Sequence, residues 1–474
     1  MNTRKLGKDL LTAFGAQGVS FLASCVTTLL VPKILGVAEF AYWQLFVFYT
    51  SYVSFFQLGL NDGVNLQHGG ESPSEINKGL IRSELHVGLG YQTVAALIIA
   101  CYGIFLEGDS DRALVIIAAA VYLLLSNTAF YIAYVFQAMN ETRIASYSTV
   151  INRGFYLASL VVCLLLRVES FFPYVLLYIA AQALSLCYCL WKFRGFLRAK
   201  TLALKDALRE TALSIKLGFV LTIANITGSL IIGISRIVID SVWGLSAFGE
   251  VSLSLSIVNF ALTFISQVAM VAFPALRLAG RENEAHYYAQ MRDLVGAILP
   301  TAFLFFAPIK WLVGVWLPQY NESLVYLAVL FPVCVFEAQA DLVVVTFMKV
   351  RSEPKALFVL NLTALGSCAL AQVIALVIIR TPFSVIIASL VGVFVRYAAG
   401  VHYLGTRYQS RNVRLAVCTL AVSIIFMVSA CMMELSACFV SCILLFAVHS
   451  FVNRTECEML VEKVKQLASG KCSR

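Results

Sequence analysis

Six ionisable side chains stand inside long apolar runs of this 474-residue sequence: Arg236, Asp240, Lys310, Glu337, Asp341 and Arg396. A charge at the centre of an apolar membrane helix costs about 2.5–3.5 kcal/mol on insertion scales, so such residues are expected to face a cavity or a partner. Glu337 and Asp341 are four apart and share a helical face, where two ionised carboxylates repel each other. One of them is then expected to hold a proton, as proton coupling requires; the alternative is a pair that simply neutralises Arg396 and Arg236. Arg396 lies about 20 Å into its run, too deep to snorkel easily to the outer face. Its planar, paired donors suit the oxygens of a diphosphate. A structural ion pair with Glu337 or Asp341 accounts for it equally well, because buried charges are generally paired. Arg236, with Asp240 at i+4, reads as a cavity cation or as one half of a local salt bridge, and Asp240 is a further coupling candidate beside Glu337 and Asp341. Lys310, among Phe305, Phe306 and Trp311, is a third candidate cavity cation whose long stem also suits snorkelling.

The elements that position these groups follow from composition. Apolar residues make up 60% of the chain and charged ones 13%, with a mean hydropathy of +0.85. Soluble domains carry about 25% charged residues, so a soluble enzyme, a disordered chain and a nucleic-acid binder are excluded together. Apolar runs suggest spans near 10–31, 40–60, 85–106, 113–135, 148–166, 172–191, 217–239, 248–273, 294–317, 324–346, 356–379, 383–404, 413–432 and 435–452. That is fourteen helices, and the runs lack the alternation of a membrane β-barrel. The first run, after Arg4, Lys5 and Lys8, is long enough to be a span rather than a cleaved signal. With both termini on the cytoplasmic side, 28 of the 35 Lys and Arg residues fall in inner segments and 4 (Lys33, Arg112, Arg167, Arg380) in outer loops. That asymmetry supports the orientation. The 13 cysteines lie mostly in apolar runs, and Cys187 and Cys189 point in different directions, so neither a metal site nor a disulfide framework is expected.

The chain also repeats itself. Leu35-Gly36-Val37-Ala38-Glu39-Phe40 after the first span is echoed by Trp243-Gly244-Leu245-Ser246-Ala247-Phe248 after the seventh, 208 positions on. A weaker echo pairs Ala138–Arg143 with Met348–Glu353 at an offset near 210. The predicted fold is an all-α polytopic membrane protein: two six-helix bundles related by a parallel pseudo-two-fold repeat, plus two extra C-terminal helices. The predicted divisions are 1–200, 201–410, 411–452 and a cytoplasmic tail at 453–474. Between the bundles, Lys192 to Lys216 alternates basic and apolar residues and reads as a helix on the anionic inner surface of the membrane.

Lys33-Ile34-Leu35-Gly36-Val37, Tyr42-Trp43-Gln44-Leu45, Leu58-Gly59-Leu60-Asn61-Asp62-Gly63-Val64-Asn65-Leu66 and Gly69-Gly70 resemble bacterial polysaccharide flippases. These are the oligosaccharide and O-antigen (Wzx-like) transporters of the multidrug/oligosaccharidyl-lipid/polysaccharide exporter superfamily. Ser235-Arg236-Ile237-Val238-Ile239 resembles the family's signature between the seventh and eighth spans, with Ser235 where an Asp is common. The resemblance implies alternating-access flipping of an undecaprenyl-diphosphate-linked oligosaccharide across the bacterial inner membrane, for O-antigen, capsule or exopolysaccharide synthesis. It implies no enzymatic activity and no cofactor beyond H+ or Na+ as candidate coupling ions. Its implied partners are the lipid-linked substrate, membrane lipids and, as further candidates, a polysaccharide polymerase and glycosyltransferases. A multidrug exporter or a lipid II flippase of the same superfamily is the alternative, since fold does not fix substrate. Asn61 and Asp62, at the head of the polar stretch to Glu75, are expected in a cytoplasmic loop that meets the sugar diphosphate as it enters.

Overall fold

Gly36 and Gly244 adopt nearly the same backbone conformation, φ 71°, ψ 179° and φ 82°, ψ −176°. That region is open essentially to glycine alone, so the sequence echo is a repeated break in the helical path. The computed structural model describes residues 3–278, 283–410, 412–456 and 458, and among these no strand occurs. Its helices are α1 (Thr3–Leu29), α2 (Val31–Ser51), α3 (Leu60–His68), α4 (Lys78–Phe105), α5 (Ser110–Ala138), α6 (Thr142–Leu165), α7 (Phe171–Leu197) and α8 (Leu204–Leu278). They continue with α9 (Glu284–Ile298), α10 (Phe306–Trp316), α11 (Ser323–Gln339), α12 (Thr346–Val350), α13 (Pro354–Ile378), α14 (Pro382–Arg407), α15 (Val413–Met432) and α16 (Leu435–Val452).

Twelve stretches of the described residues are long and apolar enough to cross a membrane. One of them, Leu204–Thr263, has 60 residues and breaks at Gly244. At 1.5 Å per residue it would be about 90 Å of helix, three times the hydrocarbon thickness, so it supplies two spans. With the 27-residue α1, fourteen transmembrane helices result. Large apolar side chains such as Ile98, Phe105, Leu370 and Val377 stand exposed along α4 and α13, a surface suited to lipid rather than water.

The chain divides into two compact units, Met1–Ile226 and Thr227–Arg474, the division falling within α8. In the first, α5 is the central helix. Tyr131, Ile132, Val135 and Phe136 from it pack with Leu60, Val64, Ile81, Phe193 and Phe196. In the second, the stretch Ser323–Val350 holds that position, with 89% of its apolar window buried. Both central helices end in the same turn. Glu141 N–H donates to the Phe136 carbonyl (2.8 Å) after left-handed Asn140, and Glu353 N–H donates to the Met348 carbonyl (3.0 Å) after left-handed Ser352. The structural equivalence therefore runs at an offset of 212 and shifts the weaker sequence echo by two residues.

Two expectations are corrected here. Asn61 and Asp62 do not lie in a loop, because residues Leu60–His68 form α3, anchored by Leu60 and Val64 in the core. The stretch from Lys192 is not a separate surface helix. Phe193 and Phe196 belong to α7 and are buried in the core, and Leu204 begins α8. The intervening turn is strapped to α4: Arg82 donates to the Ala199 carbonyl (2.6 Å), and Leu202 N–H donates to Ser83 Oγ (2.8 Å).

Candidate functional site

Three of the sequence candidates meet inside the second unit. Arg396, from the middle of α14, is 5% exposed. It donates from Nε to Asn361 Oδ1 of α13 (2.9 Å), from one terminal nitrogen to Glu337 Oε1 (2.5 Å) and from the other to Asp341 Oδ1 (3.5 Å). Gly228 of α8 leaves the space this requires, since a Cβ there would come within 3.1 Å of Asn361 Nδ2 and 3.2 Å of the guanidinium. The carboxylates sit on either side of a change in helical geometry, where α11 passes into a π-helical turn at Ala340–Val345. Such turns leave carbonyls without their usual partners. Here Thr346 Oγ1 donates to the carbonyl of Asp341 (2.8 Å).

The cluster is asymmetric in charge and in satisfaction. Two carboxylates face one guanidinium, so with both ionised the set carries a net negative charge. Glu337 Oε2 and both polar atoms of the fully buried Gln339 have no hydrogen-bond partner among the described residues. A buried polar group in that state costs about 1–3 kcal/mol. Chemically, the set offers carboxylate oxygens in excess of the positive charge they face.

The other candidates of this unit are carried by α8 and α10. Arg236 donates to Ser252 Oγ (2.9 Å) and lies 4.7 Å from the Phe248 ring centroid, bridging the two limbs of α8 across the Gly244 break. Asp240 follows one turn later on the same limb. Lys310 on α10 lies over the Phe306 ring at 5.6 Å.

Two interior ionisable side chains of the first unit, half-buried Arg153 and buried Glu84, escaped the sequence reading. Arg153, counted there among the cytoplasmic cations, lies at the centre of the 24-residue α6. Its guanidinium stands 5.9 Å from the Tyr178 ring and 3.5 Å from the Tyr178 hydroxyl, within a cluster that includes Trp43, Tyr122 and Tyr156. Among the described residues no carboxylate lies within 4.0 Å of it. Glu84 of α4 is completely buried and accepts from Ser214 Oγ (2.6 Å) and the Tyr131 hydroxyl (3.2 Å). The signal for Arg153 was available, since it lies within an apolar run; the polar Ser148, Thr149 and Asn152 disguised it as a helix end.

Asn61 and Asp62 border a cavity of about 330 Å³ in the first unit. Thr222 Oγ1 donates to Asp62 Oδ2 (2.6 Å), tying α3 to the first limb of α8.

Bundled apolar spans with ionisable groups held in their interior define a polytopic membrane protein with a charged interior. Residues 6–277 match the polysaccharide biosynthesis protein family, and the chain belongs to that family. Its fold is similar to that of the lipid II flippase MurJ in an inward closed conformation, with a TM-score of 0.64 and 11% identity over 94% of this chain and 99% of that one. A superfamily transporter from Pyrococcus furiosus gives a TM-score of 0.53 at 12% identity, covering 85% of this chain and 95% of that one. A MATE transporter from Vibrio cholerae gives 0.54 at 11%, covering 87% and 100%. No curated protein matches the chain in sequence. Identities this low carry the fold and leave the substrate to be argued from the site. These structural relatives are themselves a flippase and transporters.

Proposed function

We propose that this chain flips an undecaprenyl-diphosphate-linked oligosaccharide from the cytoplasmic to the outer leaflet of a bacterial inner membrane, with both termini cytoplasmic. Arg153 is the observation that carries the reading. A guanidinium in the middle of a span, with no carboxylate beside it among the described residues, is costly unless an anion visits it, and a diphosphate headgroup is such an anion. Arg396, the sequence's first choice for the headgroup, has its charge matched by Glu337 and Asp341, which suits it to a coupling role. Membership of the polysaccharide biosynthesis family supports an oligosaccharide cargo over a drug. Arg236 and Lys310 are further candidate contacts for the anionic cargo.

The test is complementation in cells that carry this chain. Its deletion should abolish surface polysaccharide and leave lipid-linked precursor on the inner leaflet, and Arg153→Met, though present at wild-type level, should fail to restore export. Arg153→Lys should restore part of it through its point charge. Surface glycan unaffected by the deletion, with altered drug susceptibility instead, would reverse the reading in favour of multidrug export. Arrest of cell-wall precursor export would indicate lipid II.

A further inference from the structure

The cavity beside Asn61 and Asp62 is built by a broken span. After α2, a 3-10 turn at Val53–Gln57 leads into Leu58 (φ 54°) and Gly59 (φ 94°), both left-handed, before the helix resumes as α3. Discontinuous membrane helices are tolerated where their ends line a cavity, and they form substrate sites in transporters. Here the first polar side chains of the resumed helix, Asn61 and Asp62, line the cavity together with Thr222, Asn225, Phe130 and Tyr134. Asn61 is 3% exposed, and its Nδ2 has no hydrogen-bond partner among the described residues. A volume of about 330 Å³ is at the lower end of small-molecule sites, roughly 300–1,000 Å³.

The lining chemistry selects the ligand. Side-chain amides, a carboxylate and hydroxyls offer donors and acceptors for vicinal hydroxyl groups, and the rings of Phe130 and Tyr134 offer apolar faces. Neither Lys nor Arg is among the lining residues, so a diphosphate finds no counter-charge there. We propose that this cavity is a saccharide subsite holding a neutral sugar residue of the cargo, separate from the cation that takes the diphosphate. The proposal rests on the flippase reading above and adds to it where the glycan is recognised.

Binding to the purified full-length chain in lipid nanodiscs tests it, using two probes. One is farnesyl diphosphate, which has a headgroup and no sugar; the other is the free oligosaccharide released by mild acid from the cells' own lipid-linked precursor. Asp62→Asn and Asn61→Ala should each weaken oligosaccharide binding roughly three- to tenfold, the effect of one lost hydrogen bond, while farnesyl diphosphate binds within twofold of wild type. Thr222→Val, which removes the donor to Asp62 at nearly constant volume, should move the same ratio in the same direction and serves if Asp62→Asn does not fold. Wild-type chain that binds farnesyl diphosphate but not the oligosaccharide, or variants that bind the oligosaccharide as wild type does, would overturn the subsite and leave the flippase reading standing. Wild-type chain that binds neither probe would overturn both.

Discussion

Arg396 stands 2.5 Å from Glu337 and 3.5 Å from Asp341, so one guanidinium is shared unequally between two carboxylates. The nearer carboxylate is the more enclosed, with 14% side-chain exposure against 40% for Asp341. Glu337 is thus the closer and more enclosed partner of Arg396, and Asp341 the more distant and more accessible one.

Removing the cation alone should be structurally expensive. Arg396→Met leaves two carboxylates without their counter-ion, and breaking a buried pair in this way costs about 3–5 kcal/mol. The triple variant Arg396→Met, Glu337→Gln, Asp341→Asn should recover most of that loss. Thermal unfolding of the purified variants in detergent checks this, and a single variant that melts at the wild-type temperature would show that the pair contributes nothing to the fold.

The repeated glycine break makes a second prediction. Gly36 and Gly244 both have room for a methyl group, yet both hold a backbone conformation that alanine avoids. Gly36→Ala and Gly244→Ala should each destabilise by about 1–3 kcal/mol through strain alone. Gly366, in the interior of α13 with equal room and no such conformation, provides the contrast. Gly366→Ala should be neutral or stabilising by about 0.5–1 kcal/mol. Equal melting shifts at all three positions would refute the strain argument.

This break was legible in the sequence because a single residue type satisfies its geometry. The spans were legible because apolar runs of membrane length have few other uses. Arg153 was not, since the polarity of Ser148 and Asn152 that marked the region as a helix end is absorbed by contacts with another helix. Ser148 Oγ lies 2.7 Å from Ser185 Oγ, and Asn152 donates to Gln182 Oε1 (2.6 Å). Likewise α3 contains Asn61, Gly63 and Asn65, weak helix formers, and is helical because Leu60 and Val64 are buried. A local pattern cannot report an interaction made 30 or more residues away.

Glu353, in the turn before α13, gives a pH-dependent prediction outside the spans. Burial pushes its carboxyl up, but hydrogen bonds from Arg351 (3.0 Å) and Tyr403 (2.9 Å) outweigh burial and hold it below the ordinary carboxylate range. A carboxyl lowered by folding adds stability that is complete above its unfolded value and is lost as pH falls through the folded one. Tyr403→Phe should remove on the order of 1 kcal/mol of that contribution at neutral pH and move the acid-unfolding midpoint upward. An unchanged midpoint would mean that Arg351 and Arg407 hold the carboxylate without help from the Tyr403 hydroxyl.

Coupling is the last consequence of the unequal sharing at Arg396. With both carboxylates ionised the cluster is negative, and one proton on Asp341 makes it neutral while the Arg396–Glu337 pair stays intact. Asp341→Asn fixes the protein in that neutral form without breaking the pair, so it should fold and bind the proposed lipid-linked substrate. Its flux in proteoliposomes should no longer respond to an imposed pH gradient. Glu337→Gln leaves Asp341 as the sole carboxylate beside Arg396, and the flux of that variant should still respond to the gradient. Replacing the pH gradient by a sodium gradient separates the two candidate ions, because a cluster that takes Na+ instead should lose its sodium response in Asp341→Asn. A wild-type response to both gradients in Asp341→Asn would remove coupling from this site and leave Arg396, Glu337 and Asp341 as a structural cluster alone.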